Sequence, residues 1–532
     1  MYNSSFMRNR LGQNLALFGL IVFALLFGSE FLLRFYGVEF RILLSDVSRK
    51  FKIQSKYSEF ASSAQKIGVS EKTFNIYFLG SSTMWGEPYG PFFSIPNIVD
   101  YRLGGTLGGK PVRSINFGSA GKDLAYVRYL TELLLREKDT FHPSLIVIYS
   151  GHNEFFKFHP SESDLHFPGE TWLVAHSELA RQLLILLSGQ GDVLEIDQRK
   201  FFDHDLFPFD PEGSHKLAIQ YQNHFLSIAK ETQKSHVPVV ISTLVSNYSS
   251  WEPDRSVCSP AQVQAHKERF LESFRQGLEA EKQKKYERAL QTYDEALSIC
   301  DRFAEVYFRQ GQVHEALHHY DLALDAFQKA MDYDGMPTNS LSYQNNFIQS
   351  LDRFNHIKIV DSLAYLKSHA PNGLLDENLI IDGIHPNLEG YLLISEVTAE
   401  KIHSSFASAN EKIRPLDTET AKKIFNIDQA RLFDVYIHVG RWTTKNATWH
   451  YDPTRRLKIA EDFFRQAVEI DPKRHEGYLG LAMVSFLRKD VPTAENFLKS
   501  ARAIDAKNVD NYLKIPWIHK IILRANSNIT SP

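Results

Sequence analysis

Phe74-Asn75-Ile76-Tyr77-Phe78-Leu79-Gly80-Ser81-Ser82-Thr83-Met84-Trp85-Gly86 is the stretch whose reading decides the fold. Six mostly apolar residues ending on glycine read as a strand buried on both faces. The polar residues after Gly80 then open a helix, so the glycines on either side allow a tight strand-to-helix turn that presents a hydroxyl. A helix N-terminus at that point favours negative charge developing beside it. Taken alone the block says little, because Ser-Ser-Thr after a strand is more often a helix cap.

Working outward, Ser114-Ile115-Asn116-Phe117-Gly118 reads as the next strand, followed by helical spacing over Leu124–Arg136. Leu145-Ile146-Val147-Ile148-Tyr149-Ser150 is a strongly apolar strand, and a helical pattern around Tyr221–Thr232 leads into Val237-Pro238-Val239-Val240-Ile241-Ser242-Thr243. Strands alternating with helices predict crossover units and an α/β parallel sheet. The alternation stops at residues 262–336, where Gly277, Ala289, Tyr293 and Ala296 recur 34 positions later as Gly311, Ala323, Phe327 and Ala330. Ala460, Phe464 and Ala467 recur at the same interval of 34 as Ala494, Leu498 and Ala501. Small residues and an aromatic repeating at this period match the tetratricopeptide repeat, a helix hairpin that stacks on its neighbour. Between the two repeat pairs the α/β pattern resumes at Ile357–Val360 and closes over Asp376–Ile402, so the first pair is an insertion.

A chain of 532 residues predicts two or three domains, and its 43% hydrophobic and 13% aromatic content exclude disorder. With 60 basic and 63 acidic residues, nothing favours nucleic acid as a partner. Cys258 and Cys300 do not make a disulfide framework. They pair if the domain sits in an oxidising compartment; two unrelated buried thiols is the commoner outcome. Arg8 and Arg10 precede an apolar run from Leu15 to Leu33 that carries Glu30 near its end. It approaches the ~20 residues needed to span a bilayer. No good cleavage site follows, Phe27-Gly28-Ser29 being a poor one, so the run predicts an uncleaved single-pass membrane anchor with the bulk of the chain on the extracytoplasmic side. The alternative is a buried N-terminal helix.

Four blocks carry chemistry. The first is the Ser82 turn. The second, Asn116-Phe117-Gly118-Ser119-Ala120-Gly121, is a glycine loop able to offer a backbone N–H to an oxyanion, or simply a turn. The third is Gly151-His152-Asn153-Glu154, in which Asn153 is a candidate second donor and His152 reads as a packing residue rather than a base. The fourth, Asp382-Gly383-Ile384-His385-Pro386, sets a carboxylate three residues from an imidazole in a turn, where it can fix the tautomer and stabilise the imidazolium. Asp203-His204-Asp205 more often decorates a loop than ligates metal. No metal site, cofactor or phosphate-cradling loop is indicated.

In this order the four blocks resemble the SGNH, or GDSL-type, hydrolases, over roughly residues 70–260 and 340–405. The resemblance implies an SGNH-hydrolase-like, flavodoxin-like parallel sheet sandwiched by helices. It makes Ser82 the nucleophile, by its spacing to Gly80 and Gly86. His385 becomes the base, Asp382 its orienting partner, and Ser82 N–H, Gly121 N–H and Asn153 the oxyanion donors. Ser81 stands where the family has an acid before the nucleophile, and Glu154 where it has Asp after Asn153. The expected division is an anchor at 1–36, a linker at 37–70, the hydrolase domain at 71–261 and 338–408, inserted repeats at 262–337 and a C-terminal helical repeat region at 409–532. The expected function is hydrolysis of O-acyl esters, an envelope glycan or lipid being a candidate substrate, with a protein partner on the repeats. An O-acyltransferase with the same triad is one alternative, and a repeat scaffold with an inactive hydrolase domain is the other.

Overall fold

The computed structural model describes residues 50, 53–155, 211–256, 258, 260–447, 453–515, 518, 521 and 522. Residues 56–156 and 214–532 form one compact unit. Residues 1–55 with 157–213 form the other, and little of it is described.

The sheet has six strands: β1 (Phe74–Gly80), β2 (Thr106–Leu107), β3 (Lys110–Asn116), β4 (Leu145–Tyr149), β5 (Val239–Ser242) and β6 (Ile357–Val360). Their order is β2-β3-β1-β4-β5-β6, all parallel except the antiparallel β2–β3 pair at one edge. β1 is buried from Asn75 to Gly80, and β4 and β5 along their whole length. Near-continuous apolar runs are what a sheet covered on both faces requires. The chain leaves β1 in one direction to β3 and in the other to β4, so the topological switch point lies at the carboxyl end of β1, where open α/β sheets build their sites.

Two sequence expectations shift. β3 starts at Lys110 rather than Ser114 and ends before Phe117, because Lys110 and Pro111 pair with β2. The Gly108-Gly109 turn between them, with φ of +58° and +75°, is a two-residue hairpin signal. Helix α1 (Ser82–Trp85) follows β1, and α2 (Leu124–Arg136) has the expected bounds. Helix α3 (Pro211–Lys234) runs further than the pattern around Tyr221–Thr232 suggested.

Between β5 and β6 lie two helical hairpins, α4 (Pro260–Lys282) with α5 (Tyr286–Leu297) and α6 (Ala304–Ala316) with α7 (Tyr320–Asp332). The repeated small residues sit under the repeated aromatics. A Cβ on Gly311 would lie 2.6 Å from the Phe327 ring, and one on Gly277 would overlap Tyr293. After α8 (Leu388–Phe406) come α9 (Gln429–Ala447), α10 (Thr454–Ile470), α11 (His475–Leu487) and α12 (Val491–Leu513). Here Phe464 fills the gap against both Gly440 and Gly480. The same rule therefore governs both regions: glycine where helices close, a ring beside it.

Cys258 and Cys300 are bonded, with Cα atoms 5.6 Å apart, and Cys300 is buried among Phe270, Phe274 and Tyr293. The expectation of unrelated thiols is corrected: the bond ties the loop entering α4 to the end of α5. Among the described residues no helix is long and apolar enough to cross a membrane. The expectation of a single-pass anchor, and the extracytoplasmic membrane location drawn from it, is corrected accordingly. Its residues 1–36 lie outside the described residues, as does Asp203-His204-Asp205, and the apolar run is broken by Ser29 and Glu30 before it reaches a comfortable span.

Replacing both cysteines with serine is expected to destabilise the hairpins by ~2–4 kcal/mol, since the bond closes a loop with a sequence separation of 42. A lower far-UV circular dichroism midpoint in urea checks this; an unchanged midpoint contradicts it.

Candidate active site

Three strand ends and one distant turn converge at the switch point. Gly80 ends β1 where a Cβ would overlap the Tyr149 carbonyl of β4 and come within 2.8 Å of Met84, so only glycine lets α1 start this close to the sheet. Ser82 opens α1 with its carbonyl accepting from Gly86 N–H at 2.9 Å and Glu87 N–H at 3.0 Å. Ser81 precedes it without making a side-chain cap, and its buried hydroxyl has no hydrogen-bond partner. The block is therefore not a conventional helix cap.

The glycine loop after β3 lies directly on α1. Ser119 N–H donates to the Gly80 carbonyl at 3.1 Å, and a Cβ on Gly118 would stand 2.5 Å from the Trp85 nitrogen. Gly121 takes φ +69°, a left-handed conformation that favours glycine. After β4, the Asn153 amide donates to the Lys122 carbonyl at 3.0 Å, which ties it to the Gly121 loop. Glu154 accepts the Leu124 N–H at 2.8 Å and Asp123 accepts the Tyr126 N–H at 3.1 Å. Both carboxylates thus sit at the N-terminus of α2, where the helix dipole favours them.

Asp382 and His385 come from the loop before α8. Asp382 Oδ1 accepts the backbone N–H of Ile384 at 2.8 Å and of His385 at 2.7 Å. Its Oδ2 accepts from His385 Nδ1 at 2.7 Å, and His385 Nε2 lies 2.8 Å from Ser82 Oγ. With Nδ1–H donating to the carboxylate, Nε2 is left to accept the serine hydroxyl. All three residues are buried, Ser82 at 7% and His385 at 9% exposure. Burial alone would push the Asp382 carboxyl up, but the His385 charge and the three hydrogen bonds hold it below its ordinary value. Burial alone would push His385 down, but Asp382, by charge and hydrogen bond, and then Glu87 raise it.

So the structure joins Ser82, His385 and Asp382 in one hydrogen-bonded chain, and brings Asn153 and the Gly121 loop together beside it. His152 is near enough to feel the charges of His385 and Asp382 but is bonded away from them: its Nε2 meets the Val245 carbonyl at 3.0 Å, and burial first of all pushes it down to about 4. Its Nδ1 has no hydrogen-bond partner among the described residues, so the ring stands outside the chain of Ser82, His385 and Asp382. Sequence reasoning missed Tyr391, whose hydroxyl donates to the carbonyls of Glu87 at 2.6 Å and Thr83 at 3.1 Å, fastening α8 to the turn after Ser82. It also missed Glu87, which reaches His438 of α9 at 2.6 Å. Nothing local marks either residue, since their partners lie in remote parts of the chain.

The tetratricopeptide repeat family matches residues 304–335, which span α6 and α7. No curated protein matches the chain. Among solved structures, the chain is similar to a protein described as lipolytic, of the G-D-S-L family, from Desulfitobacterium hafniense DCB-2, at 11% identity and a TM-score of 0.27, covering 62% of this chain and 99% of that one. It is similar to a protein described as a platelet activating factor from Streptococcus pneumonia at 13% identity and 0.25, over 68% and 96%. YrrB, a tetratricopeptide repeat protein with an unusual peptide-binding site, gives 16% identity and 0.16, over 50% and 96%. At such TM-scores the likeness carries no weight, and the argument stays with the geometry.

Because His152 is held at about 4 when folded and lies near 6.5 when unfolded, the unfolded chain takes up a proton first as pH falls. The His152 contribution to stability is then expected to fall away between about pH 6.5 and pH 4, with a smaller slope in that range in His152→Gln. Urea midpoints across that range check it; equal slopes in both proteins contradict it.

Proposed function

We propose that this chain is a serine esterase or deacylase of the SGNH type, hydrolysing O-acyl esters through Ser82, His385 and Asp382. The observation that carries the reading is the unbroken chain from Ser82 Oγ to His385 Nε2 and from His385 Nδ1 to Asp382 Oδ2. On this reading the hydrolase domain comprises residues 71–261 and 338–408 with an SGNH-like sheet. Residues 262–337 are the inserted repeats, 409–532 the C-terminal helical region, and 37–70 a linker.

Ser82 Oγ attacks the acyl carbonyl while His385 Nε2 takes its proton. The C=O π pair moves to oxygen, and the oxyanion is met by the N–H groups of Ser82 and Gly121 and the second N–H of the Asn153 amide. Collapse of the tetrahedral intermediate expels the alcohol, which receives the proton from His385. Water then attacks the acyl-serine with His385 again as base, and the carboxylic acid leaves as Ser82 is restored. Asp382 stays ionised throughout and stabilises the imidazolium. The tetratricopeptide hairpins supply a helical surface suited to a protein partner.

Labelling by a fluorophosphonate probe is expected in the wild type and in Ser81→Ala and to vanish in Ser82→Ala; a Ser82→Ala protein that still hydrolyses model esters sinks the mechanism. Asn153→Ala is expected to lower kcat ~100–1000-fold with KM little changed. The base must be neutral to accept a proton, and His385 is raised by its carboxylate partners. The rate of labelling should therefore rise with pH and reach half its maximum above about 6.5.

A further inference from the structure

The C-terminal helices reach residues flanking the proposed site at two places, one near each end of its hydrogen-bonded chain. At the nucleophile end, His438 Nε2 of α9 meets Glu87 Oε1 at 2.6 Å. Glu87 directly follows the turn: its N–H donates to the Ser82 carbonyl at 3.0 Å, and its own carbonyl accepts the Tyr391 hydroxyl at 2.6 Å. At the other end, Arg456 of α10 is fully buried, with its guanidinium 4.0 Å over the Trp251 ring. It donates to Asp254 Oδ1 at 2.9 Å and to the Glu252 carbonyl at 2.6 Å. Trp251 lies against Gly383, where a Cβ would stand 2.8 Å from the indole nitrogen. Gly383 is the residue between Asp382 and Ile384, and its carbonyl is fixed by the Asn247 N–H at 2.9 Å.

A wholly buried guanidinium is costly to desolvate, and an apolar side chain often serves stability as well. What Arg456 offers beyond stability is shape: a flat cation that stacks on one face and donates in two directions, which lysine cannot reproduce. It does so against the Trp251 indole, which backs the Asp382–His385 turn at Gly383. We propose that His438 and Arg456 of the C-terminal helices are positioning residues for the triad, His438 acting through Glu87 and Arg456 through Trp251. The inference rests on the esterase reading above. It makes the C-terminal helices part of the catalytic module rather than an appended interaction arm. Asp254 extends the same connection to the inserted hairpins, because Asp334, just past α7, accepts its N–H at 2.8 Å.

The charges around His385 give the inference a signature that a merely structural role lacks. His385 is faced by Asp382 from its own turn, by Glu87 from the loop after α1 and by His152 from the loop after β4. Glu87 is faced in turn by His438, His385 and Asp382. Removing the Glu87 charge should make His385 easier to deprotonate. Removing His438 takes away the 2.6 Å contact that holds the Glu87 carboxylate and should change how strongly Glu87 acts on His385.

The test measures the second-order rate of fluorophosphonate labelling against pH on the full chain, with thermal unfolding followed alongside. Wild type is compared with Glu87→Gln, His438→Gln, Arg456→Lys and Arg456→Met. The expected result is that the acidic limb of the pH profile moves down in Glu87→Gln and shifts in His438→Gln, where Glu87 has lost its partner. Arg456→Met should label ~10–100-fold more slowly at the pH plateau, with Arg456→Lys between it and wild type. An unshifted or raised limb in folded Glu87→Gln, an unshifted limb in folded His438→Gln, or wild-type rates in folded Arg456→Met overturn the inference while leaving the serine reading intact. The His438 ring is 59% exposed, so its variant decides the matter even if both Arg456 variants fail to fold. A folded wild type that takes no label at all overturns the serine reading itself, and the inference with it.

Discussion

A single constraint organises the molecule: a carboxylate, an imidazole and a hydroxyl must be held in line, out of water, by parts of the chain that begin far apart. Ser82 belongs to the first strand end, and Asp382 and His385 to a turn beyond the inserted hairpins. Buried polar groups are expensive unless every one is paired. Asp382 meets that demand by accepting three hydrogen bonds, all of them from its own turn. The turn is thus a self-contained electrostatic unit, and the rest of the structure has to deliver it to Ser82.

Delivery falls to glycine contacts and a few long-range bonds. Gly80 and Gly118 let β4 and the β3 loop close on α1 without a side chain between them. Tyr391 spans from α8 to the carbonyls of Thr83 and Glu87, so the helix that follows His385 is bolted to the helix that starts at Ser82. The helical hairpins are packed by the same means, with glycine under a ring at Gly311–Phe327 and again at Gly440–Phe464 and Gly480–Phe464. Buried Arg456 connects α10 to the Trp251 loop, and Asp334 connects that loop to the end of α7. A site made by the sheet is therefore continuous in its contacts with the hairpins inserted between its parts and with the helices that follow it.

What the sequence made legible was local. The buried strands announce themselves because an apolar run of the right length has few other uses, and α2 keeps its expected bounds because Asp123 caps it. The Asp382–His385 pair is readable because its partners are three residues apart, and Ser82 because the resemblance to the GDSL-type pattern places it between Gly80 and Gly86. The 34-residue interval is readable because helix packing repeats the same small and aromatic positions. The rest depended on contacts between distant segments. Glu87 with His438, Arg456 with Trp251, and the bond between Cys258 and Cys300 have no local signature, and the sequence left the pairing of the cysteines open with unrelated thiols the commoner outcome. The short β2 strand was missed because two residues show no periodicity, although Gly108-Gly109 was there to mark its turn. The anchor reading rested on an apolar run interrupted by Glu30, on Arg8 and Arg10 before it and on the lack of a good cleavage site after it, and no helix among the described residues supports it.

The most direct measurement of the central claim is to trap the covalent intermediate. Full-length protein would be mixed rapidly with an activated acetyl ester, quenched in acid and digested, and the peptides mapped by mass spectrometry. The account predicts an acetyl group on Ser82 that decays on further incubation as free acetate appears. Acetylation only at scattered surface lysines, or on Ser81 with Ser82 unmodified, would contradict it.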